Sequence, residues 1–364
     1  MEPKTIAILG DGNGAHMMAA DLTMKGHRVN MFVYEERDEV ERLMRTGTIE
    51  VTGTVSGKVK LNKVTTDIDE AIRDARYICV VTPAFVHDYY AHLLKDRVRK
   101  DQIIVTFPGA FAALQYRKVF GDTEDCPVMA DVNNLPYDTR LSGPAKVTCF
   151  GRNAVNIAFF PASAGNRLID EMREDLFPFE KVYNNVLESG LSIVNPAWHT
   201  GPCLLSVSEI ERPTSNFFVY EHGWTPSACK LNIVLDNERK AVGKALGWHL
   251  RPMEDFSGMP DGFTWQQLYA AGHGAISLTP ICGPNSIFDR YLTEDCPYGL
   301  VPWAAIGEML GVPMPMTNSC IDIYNVIHET DWRREGLTAE KMGITGLDKD
   351  QLVEYVTTGV RSGR

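Results

Sequence analysis

Apolar and polar residues follow two different periods along the first 110 residues. Short runs that are almost wholly apolar, such as TIAILG at 5–10 and QIIVTF at 102–107, are typical of strands buried on both faces of a parallel sheet. Between such runs lie segments with apolar residues at helical spacing, such as AHMMAADLTMKG at 15–26. Strands that alternate with amphipathic helices predict a doubly wound α/β domain of the Rossmann type.

The same periods predict the individual elements of this domain. A strand at 4–9, the helix that ends at Gly26, and the strand RVNMFVY form a βαβ unit, and the helix DEVERLMRTG follows. A polar segment at 49–65, IEVTGTVSGKVKLNKVT, is hairpin-like. We then expect the helix DIDEAIRDA, the strand YICVVTP, the helix AFVHDYYAHLLKD and the strand QIIVTFPG.

The pattern changes at about residue 185. Long amphipathic stretches follow, such as SACKLNIVLDNERKAVGKALG and GLVPWAAIGEMLG, separated by connections rich in glycine and proline. A chain of 364 residues is long enough for two domains. We therefore predict a dinucleotide-binding domain over 1–185, a mainly helical substrate domain over 186–364, and a site between them.

Composition narrows the classes of partner. The chain has 36 basic and 47 acidic residues and a net charge of -11, which disfavours nucleic acid and anionic membranes. Its eight cysteines show no zinc-type spacing, and we expect most of them to be thiols packed as small apolar groups, with no metal. The N-terminus lacks a signal-peptide pattern, and no run reaches the length of a membrane span. We expect a cytoplasmic enzyme acting on small molecules; whether it forms a homodimer stays open.

A glycine-rich turn directly follows the first predicted strand. Residues Gly10, Gly12 and Ala15 match the dinucleotide fingerprint G-x-G-x-x-G/A, with Asn13 and Gly14 between them. Gly10 permits the tight turn, Gly12 lets a pyrophosphate approach the backbone, and Ala15 allows the helix to pack closely on the strand. Free N–H groups at the helix start would bind the anion. The alternative is a glycine-rich turn that binds nothing.

The end of the second predicted strand bears on the choice of cofactor. An NAD enzyme usually places an acid there to bind the ribose hydroxyls. Here the sequence is FVYEER, in which the acid Glu35 lies a residue or two beyond the usual position. Arg37 offers a partner for a 2′-phosphate. The arginine slightly favours NADP(H) as the cofactor, and NAD(H) is the alternative. The charged residues would also be compatible with a solvated surface that contacts no cofactor.

Two further predicted strands end in proline turns. VVTPAFVH contains Pro83 and VTFPGA contains Pro108. Ligands of α/β sheets bind at the carboxyl ends of the strands, so backbone at these turns is a candidate lining for the nicotinamide-ribose site. Proline is also common where a strand ends for purely structural reasons, and the sequence does not distinguish this interpretation from a role in lining the cofactor site.

The second half contains two unusual segments. In SIVNPAWHTGPCLLS, Asn195 and His199 are four residues apart and would share one helix face, although a buried histidine bonded to a carbonyl is the plainer reading. FDRYLTEDCPYGLVP places Arg290, Glu294 and Asp295 beside aromatic residues. An arginine fork binds carboxylates bidentately, and a carboxylate beside an imidazole fixes its tautomer and stabilises its protonated form. An ordinary Arg–Glu pair at a surface helix end is equally compatible.

The chain resembles the opine dehydrogenases, the octopine/nopaline dehydrogenase family. The resemblance rests on GDGNGAH, VTPAFVHD, FPGAFAALQYRKVF, NPAWHTGPCLL, CGPNSIFDRYLTEDCPYGLVP and DWRREGLTAEKMGITGL, and runs to about residue 350. It implies a Rossmann domain followed by a helical domain, and a catalytic pair formed by His199 and Asp295. The sequence differs from the family pattern in having Ala15 for the third glycine, and Thr200 where proline often follows the histidine.

The resemblance also implies the reaction. An amino acid and an α-keto acid would condense to an imine, which NAD(P)H reduces to a secondary amine, a reversible reductive amination. His199 would act as the general acid/base, Asp295 would hold it, Arg290 would bind a substrate carboxylate and Asn195 would support the substrate or nicotinamide. Two alternatives remain open: a dehydrogenase of 2- or 3-hydroxy acids, and a nucleotide-sensing protein without turnover. The amino acid, the keto acid and the physiological direction are not encoded in any motif.

Overall fold

The computed structural model describes residues 2–35, 38–123, 125–213, 216–253, 262–273 and 282–361. The chain forms two compact units. Unit 1 comprises Met1–Gly190 and Glu354–Arg364, and unit 2 comprises Leu191–Val353.

The described residues of unit 1 form eleven strands: β1 (Thr5–Leu9), β2 (Arg28–Phe32), β3 (Thr48–Gly53), β4 (Gly57–Lys60), β5 (Lys63–Thr65), β6 (Tyr77–Val80), β7 (Ile103–Thr106), β8 (Val128–Val132), β9 (Tyr137–Gly143), β10 (Lys146–Arg152) and β11 (Ile157–Phe160). Seven of these form one sheet in the order β11-β8-β7-β6-β1-β2-β5. All neighbours are parallel except β11, which runs antiparallel to β8. The chain order reverses between β1 and β6, which is the switch point where α/β sheets bind ligands.

Helices complete unit 1 as the apolar periods predict. They are α1 (Asn13–Met24), α2 (Asp38–Thr46), α3 (Ile68–Ile72), α4 (His87–Leu94), α5 (Ala112–Phe120) and α6 (Gly165–Asp175), and α7 (Val186–Leu191) follows at its end. The core contains the continuous apolar runs of the strands together with the face of α1 that carries Met17, Met18 and Leu22. The predicted Rossmann-type domain is confirmed.

A second sheet of unit 1 was only partly predicted. Its order is β4-β3-β10-β9. The hairpin of β3 and β4 agrees with the polar segment at 49–65, but β3 also pairs in parallel with β10, almost 100 residues later. Thr52 and Thr148 share a hydrogen bond of 3.0 Å across that pairing. Such long-range pairing leaves no local signal, because each strand shows only its own alternation.

The domain boundary differs from the predicted division at residue 185. Unit 1 extends to Gly190, where a Cβ atom would lie 2.3 Å from the ring of Phe111. Unit 1 also includes the C-terminal residues that were predicted to belong to the helical domain. Tyr355 of α16 (Lys349–Thr358) packs its buried ring edgewise on Phe160, with centroids 5.2 Å apart, and Arg117 donates to the Gly359 carbonyl at 3.0 Å.

Unit 2 is helical, as the amphipathic stretches predict. It contains α8 (Asn195–Leu205), α9 (Val207–Ile210), α10 (Pro226–Ala245), α11 (Trp265–Gly272), α12 (Arg290–Thr293), α13 (Val301–Met309), α14 (Pro315–His328) and α15 (Trp332–Glu335). None of the helices in the described ranges combines the length and apolarity needed to cross a bilayer.

The middle of α10 is fixed by a buried ion pair. The side chains of Arg239 and Asp236 are almost fully buried, and Nη2 of Arg239 lies 2.7 Å from Oδ1 of Asp236. Arg239 also donates to the carbonyls of Leu191 and Arg251, and Asp236 accepts from the Met253 amide. A buried charge pair is tolerated only when its remaining hydrogen-bonding groups are also satisfied, and here they fix the chain on both sides of α10.

Candidate functional site

The glycine turn after β1 is shaped by its neighbours and by open space. Gly10 adopts φ +120°, and a Cβ there would lie 2.6 Å from the carbonyl oxygen of Val81, so no other residue fits. A Cβ on Gly12, in contrast, would meet no atom within 4 Å among the described residues. The turn therefore presses against the chain after β6 on one side and leaves room at Gly12 on the other.

The start of α1 has the features of an anion-binding helix end. Gly12 is its N-cap, and within the described ranges no side chain caps it and no acid lies in its first turn. The Asn13 side chain instead accepts from the Leu141 amide at 2.8 Å. Ala15 is fully buried, and Gly14 packs on Leu135 and Val81. First-turn N–H groups that no described side chain caps, next to the open space at Gly12, fit a pyrophosphate.

The two proline turns lie where the predictions placed them, at the carboxyl ends of neighbouring strands. Pro83 follows β6 and Pro108 follows β7, and β6 pairs directly with β1. Thr82, which precedes Pro83, would touch a Cβ on Gly10 at 3.0 Å. The structure thus brings the Pro83 turn and the glycine turn together at the switch point of the sheet.

A buried carboxyl group behind the Pro108 turn was not predicted. Asp131, in β8, is fully buried and accepts from the Ala113 amide at 3.2 Å, near the start of α5. Burial raises the pKa of Asp131 to about 7, and the hydrogen bond from Ala113 opposes this rise. A Cβ on Gly109 would lie 2.3 Å from Asp131, so the turn fits tightly against it. One acid inside an apolar strand was the only signal of this position in the sequence.

The end of β2 presents exposed aromatic rings. Tyr34 and Tyr89 contact each other edge to face, with centroids 5.4 Å apart, and both are more than a third exposed. Glu35 is also exposed. Arg37, the predicted partner of a 2′-phosphate, lies outside the described residues. Only the charged residues at this strand end were predicted to contact the cofactor, and the tyrosines were not.

In unit 2, His199 lies on a helix turn that is interrupted by proline. Pro202, inside α8, has no N–H to bond the carbonyl of Trp198, four residues earlier. The buried side chain of Asn232, on α10, compensates: its Nδ2 donates to that carbonyl at 2.9 Å, and its Oδ1 accepts from the Gly201 amide at 2.9 Å. Asn232 therefore fixes the backbone on both sides of His199, and nothing in the local pattern indicated it.

Both ring nitrogens of His199 are hydrogen-bonded. Nδ1 lies 2.7 Å from Oδ2 of Asp295, and Nε2 lies 3.2 Å from the Tyr220 hydroxyl. The ring of Tyr291 meets the imidazole edge to face, with centroids 4.7 Å apart. Burial raises the pKa of Tyr220, with further contributions from Tyr291 and Asp295, so its hydroxyl stays protonated at neutral pH. A carboxylate only accepts, so Nδ1 must carry the proton it shares with Asp295.

The other two predicted site residues of unit 2 are more exposed. Arg290 begins α12, and its guanidinium is mostly exposed and 3.9 Å from Glu294. Asp289 caps this helix by accepting from the Tyr291 amide at 3.1 Å, which fixes the segment between Arg290 and Asp295. Asn195 is exposed at the first turn of α8, one turn before His199.

Together the two units have the characters of a dehydrogenase that uses NAD or NADP. Unit 1 is a Rossmann-type domain with an open helix start, and unit 2 holds a buried histidine–carboxylate pair. Comparisons with known proteins agree. Residues 5–112 match the family model of the NAD-dependent glycerol-3-phosphate dehydrogenase N-terminus, and residues 182–328 match that of the NAD/NADP octopine/nopaline dehydrogenase α-helical domain.

A full-length relative narrows this class. The opine dehydrogenase of Arthrobacter sp. (strain 1C) is 31% identical over 351 residues, which cover 95% of this chain and 97% of the relative. The chain therefore belongs to the opine dehydrogenase family, whose members are NAD(P)-dependent oxidoreductases acting on CH–NH groups.

Solved structures share the fold. Octopine dehydrogenase in complex with NADH and pyruvate superposes with a TM-score of 0.76 at 19% identity, and the match covers 99% of each chain. Yersinopine dehydrogenase with NADP⁺ bound gives a TM-score of 0.70 at 15% identity over 98% of each chain. Relatives of this fold thus hold either dinucleotide.

Proposed function

We propose that the protein joins an amino acid to an α-keto acid by NAD(P)H-dependent reduction of the imine they form. The observation that carries this proposal is the 2.7 Å contact between His199 and Asp295, inside the part of the chain that matches the octopine/nopaline dehydrogenase helical domain. The bound dinucleotide supplies the hydride, so the protein must orient the imine and manage its protons.

The geometry supports a different task for each member of the pair. Asp295 accepts a hydrogen bond from the Nδ1–H group, which fixes the ring orientation and leaves the Nε2 side for proton exchange. The carboxylate also stabilises the imidazolium that forms when Nε2 takes up a proton. His199 can then act as the general acid/base in either direction of the reaction.

Arg290 and Asn195 are assigned to the substrate. The exposed Arg290 guanidinium is held only loosely, at 3.9 Å from Glu294, and its fork suits a substrate carboxylate. Asn195 is exposed on the same helix as His199, where it can support the substrate or the nicotinamide. Arg290→Lys should raise the KM for the carboxylate substrate, because an ammonium cannot form the paired contact.

For the cofactor we infer a preference for NADP(H), which rests on Arg37. Gly10, Gly12, Asn13, Gly14 and Ala15 would hold the pyrophosphate, and the turns at Pro83 and Pro108 would line the nicotinamide-ribose site. Arg37→Ala should raise the KM for NADPH by about tenfold or more, as expected when a charge-assisted contact is lost, and leave NADH kinetics nearly unchanged. Equal effects on both cofactors would reject the assignment, and a wild-type preference for NADH would move it to Glu35.

A spectrophotometric screen tests the function itself. Oxidation of NADPH and NADH is followed with pyruvate, glyoxylate or 2-oxoglutarate, each with and without a panel of amino acids. Activity that requires the amine supports the proposal. Oxidation by a keto acid alone would indicate a hydroxy-acid dehydrogenase, and cofactor binding without any turnover would indicate a sensor. A cytoplasmic location and a homodimer are likewise proposals, the second testable by analytical ultracentrifugation.

A further inference from the structure

The Nε2 atom of His199 already has a partner. An imidazole nitrogen has a single in-plane direction for a hydrogen bond, and at Nε2 the hydroxyl of Tyr220 occupies it at 3.2 Å. Nδ1 is committed to Asp295 at 2.7 Å. A substrate atom can therefore exchange a proton with His199 only by displacing Tyr220 or by exchanging it through the Tyr220 hydroxyl.

Displacement is disfavoured by the packing of both rings. Tyr220 is 5% exposed and lies on the π-helical turn Val219–Gly223, followed by the fully buried Trp224, whose ring centroid is 6.0 Å from that of Tyr220. The imidazole is held by Asp295 on one side and by the ring of Tyr291 on another. Neither ring can turn away without breaking contacts in a close-packed interior. π-helical turns of this kind are frequent at functional sites.

We propose that Tyr220 is a catalytic residue that relays the proton between His199 and the substrate, so that Asp295, His199 and Tyr220 act as one chain. This inference rests on the proposed function. In the condensing direction the Nε2–H bond of the imidazolium breaks and its proton passes to Oη of Tyr220. The Oη–H bond breaks at the same time, and its proton passes to the hydroxyl of the carbinolamine.

The remaining bonds balance this transfer. The carbinolamine C–O bond breaks to release water, and the nitrogen lone pair forms the C=N bond of the protonated imine. His199 ends neutral, and Tyr220 ends with one proton, as it began. No oxidant or further reactant is needed, since the hydride step follows separately. The reverse reaction runs through the same atoms.

Tyr220→Phe tests the relay, because it removes only the hydroxyl and retains the ring. We expect turnover with keto acid plus amine to fall by about 100-fold, the lower range for a lost acid/base group, while the Kd of the cofactor changes less than twofold. Tyr324→Phe is the matched control. It removes a fully buried hydroxyl of the same unit that takes no part in the chain of Asp295, His199 and Tyr220, and turnover should stay within twofold of wild type.

A proton inventory separates a relay from a structural role. Single-turnover rates in mixtures of H₂O and D₂O should give a curved plot for the wild type, because two protons move together, and a straight plot for Tyr220→Phe. Unchanged or faster turnover in Tyr220→Phe would overturn the relay, as would curvature that persists in the variant. If the variant fails to fold, a straight plot for the wild type overturns it. If the wild type reduces keto acids without amine, the proposed function fails, and the same measurements still test the relay on that reaction.

Discussion

His199 and Asp295 are 96 positions apart in sequence, and a hydrogen bond of 2.7 Å joins Nδ1 of the histidine to Oδ2 of the aspartate. His199→Ala removes the acid/base group, and Asp295→Asn keeps the shape but loses the charge that stabilises the imidazolium. Each should lower turnover by at least about 100-fold and leave cofactor affinity nearly intact. The double variant should lose less than the product of the two effects, because the residues act as one unit. Near-normal turnover in a folded His199→Ala protein would make the histidine a plain core residue.

The open space at Gly12 makes a specific substitution informative. A Cβ atom there meets no described atom within 4 Å, so we expect Gly12→Val to leave the fold intact and to occupy the place of the pyrophosphate. Cofactor affinity should fall by about tenfold or more, which corresponds to about 1.4 kcal/mol, as measured by fluorescence titration. Gly151→Val is the control, since Gly151 is also in open space but on β10. Unchanged titration of both dinucleotides by the Gly12 variant would exclude this location.

At the scale of elements, α8 depends on α10 for its shape. Asn232→Ala would leave the Trp198 carbonyl and the Gly201 amide without their partner in a buried place. Each unsatisfied group costs about 1–3 kcal/mol, so the free energy of unfolding measured in urea should fall by about 2–6 kcal/mol. Turnover should fall as well, because the carbonyl and amide flank His199. A loss below about 0.5 kcal/mol would show that α8 keeps its turn without Asn232.

The elements also show what sequence periods can and cannot predict. The βαβ order and the helical second half follow from local periods, and the glycine turn from its position between β1 and α1. The pairing of β3 with β10, the return of Tyr355 to unit 1 and the support of His199 by Asn232 depend on residues far apart in sequence. The contact of Tyr220 with His199 belongs to the same group. A single sequence contains no local pattern that indicates such long-range contacts.

The buried carboxyl group of Asp131 makes the free energy of unfolding of the protein depend on pH. The unfolded chain releases this proton at about pH 4, whereas the folded pKa is about 7. The buried carboxyl therefore contributes stability at low pH that is lost as pH rises through about 7. Asp131→Asn keeps an acceptor for the Ala113 amide without the charge. Its free energy of unfolding relative to wild type should rise by about 1.4 kcal/mol per pH unit between about 4 and 7, then level off. A difference independent of pH would contradict the assignment.

The return of the last residues to unit 1 has a consequence for synthesis. The ribosome synthesises the chain from its N-terminus, so the residues up to Gly190 emerge long before Glu354–Arg364 do. During that interval Phe160 and Arg117 lack their partners Tyr355 and Gly359, and apolar surface of the nascent first unit stays uncovered. Unit 2 is contiguous, from Leu191 to Val353, and all of it has been translated before unit 1 can close. The unit that begins first along the chain is therefore the last for which all residues are available to fold.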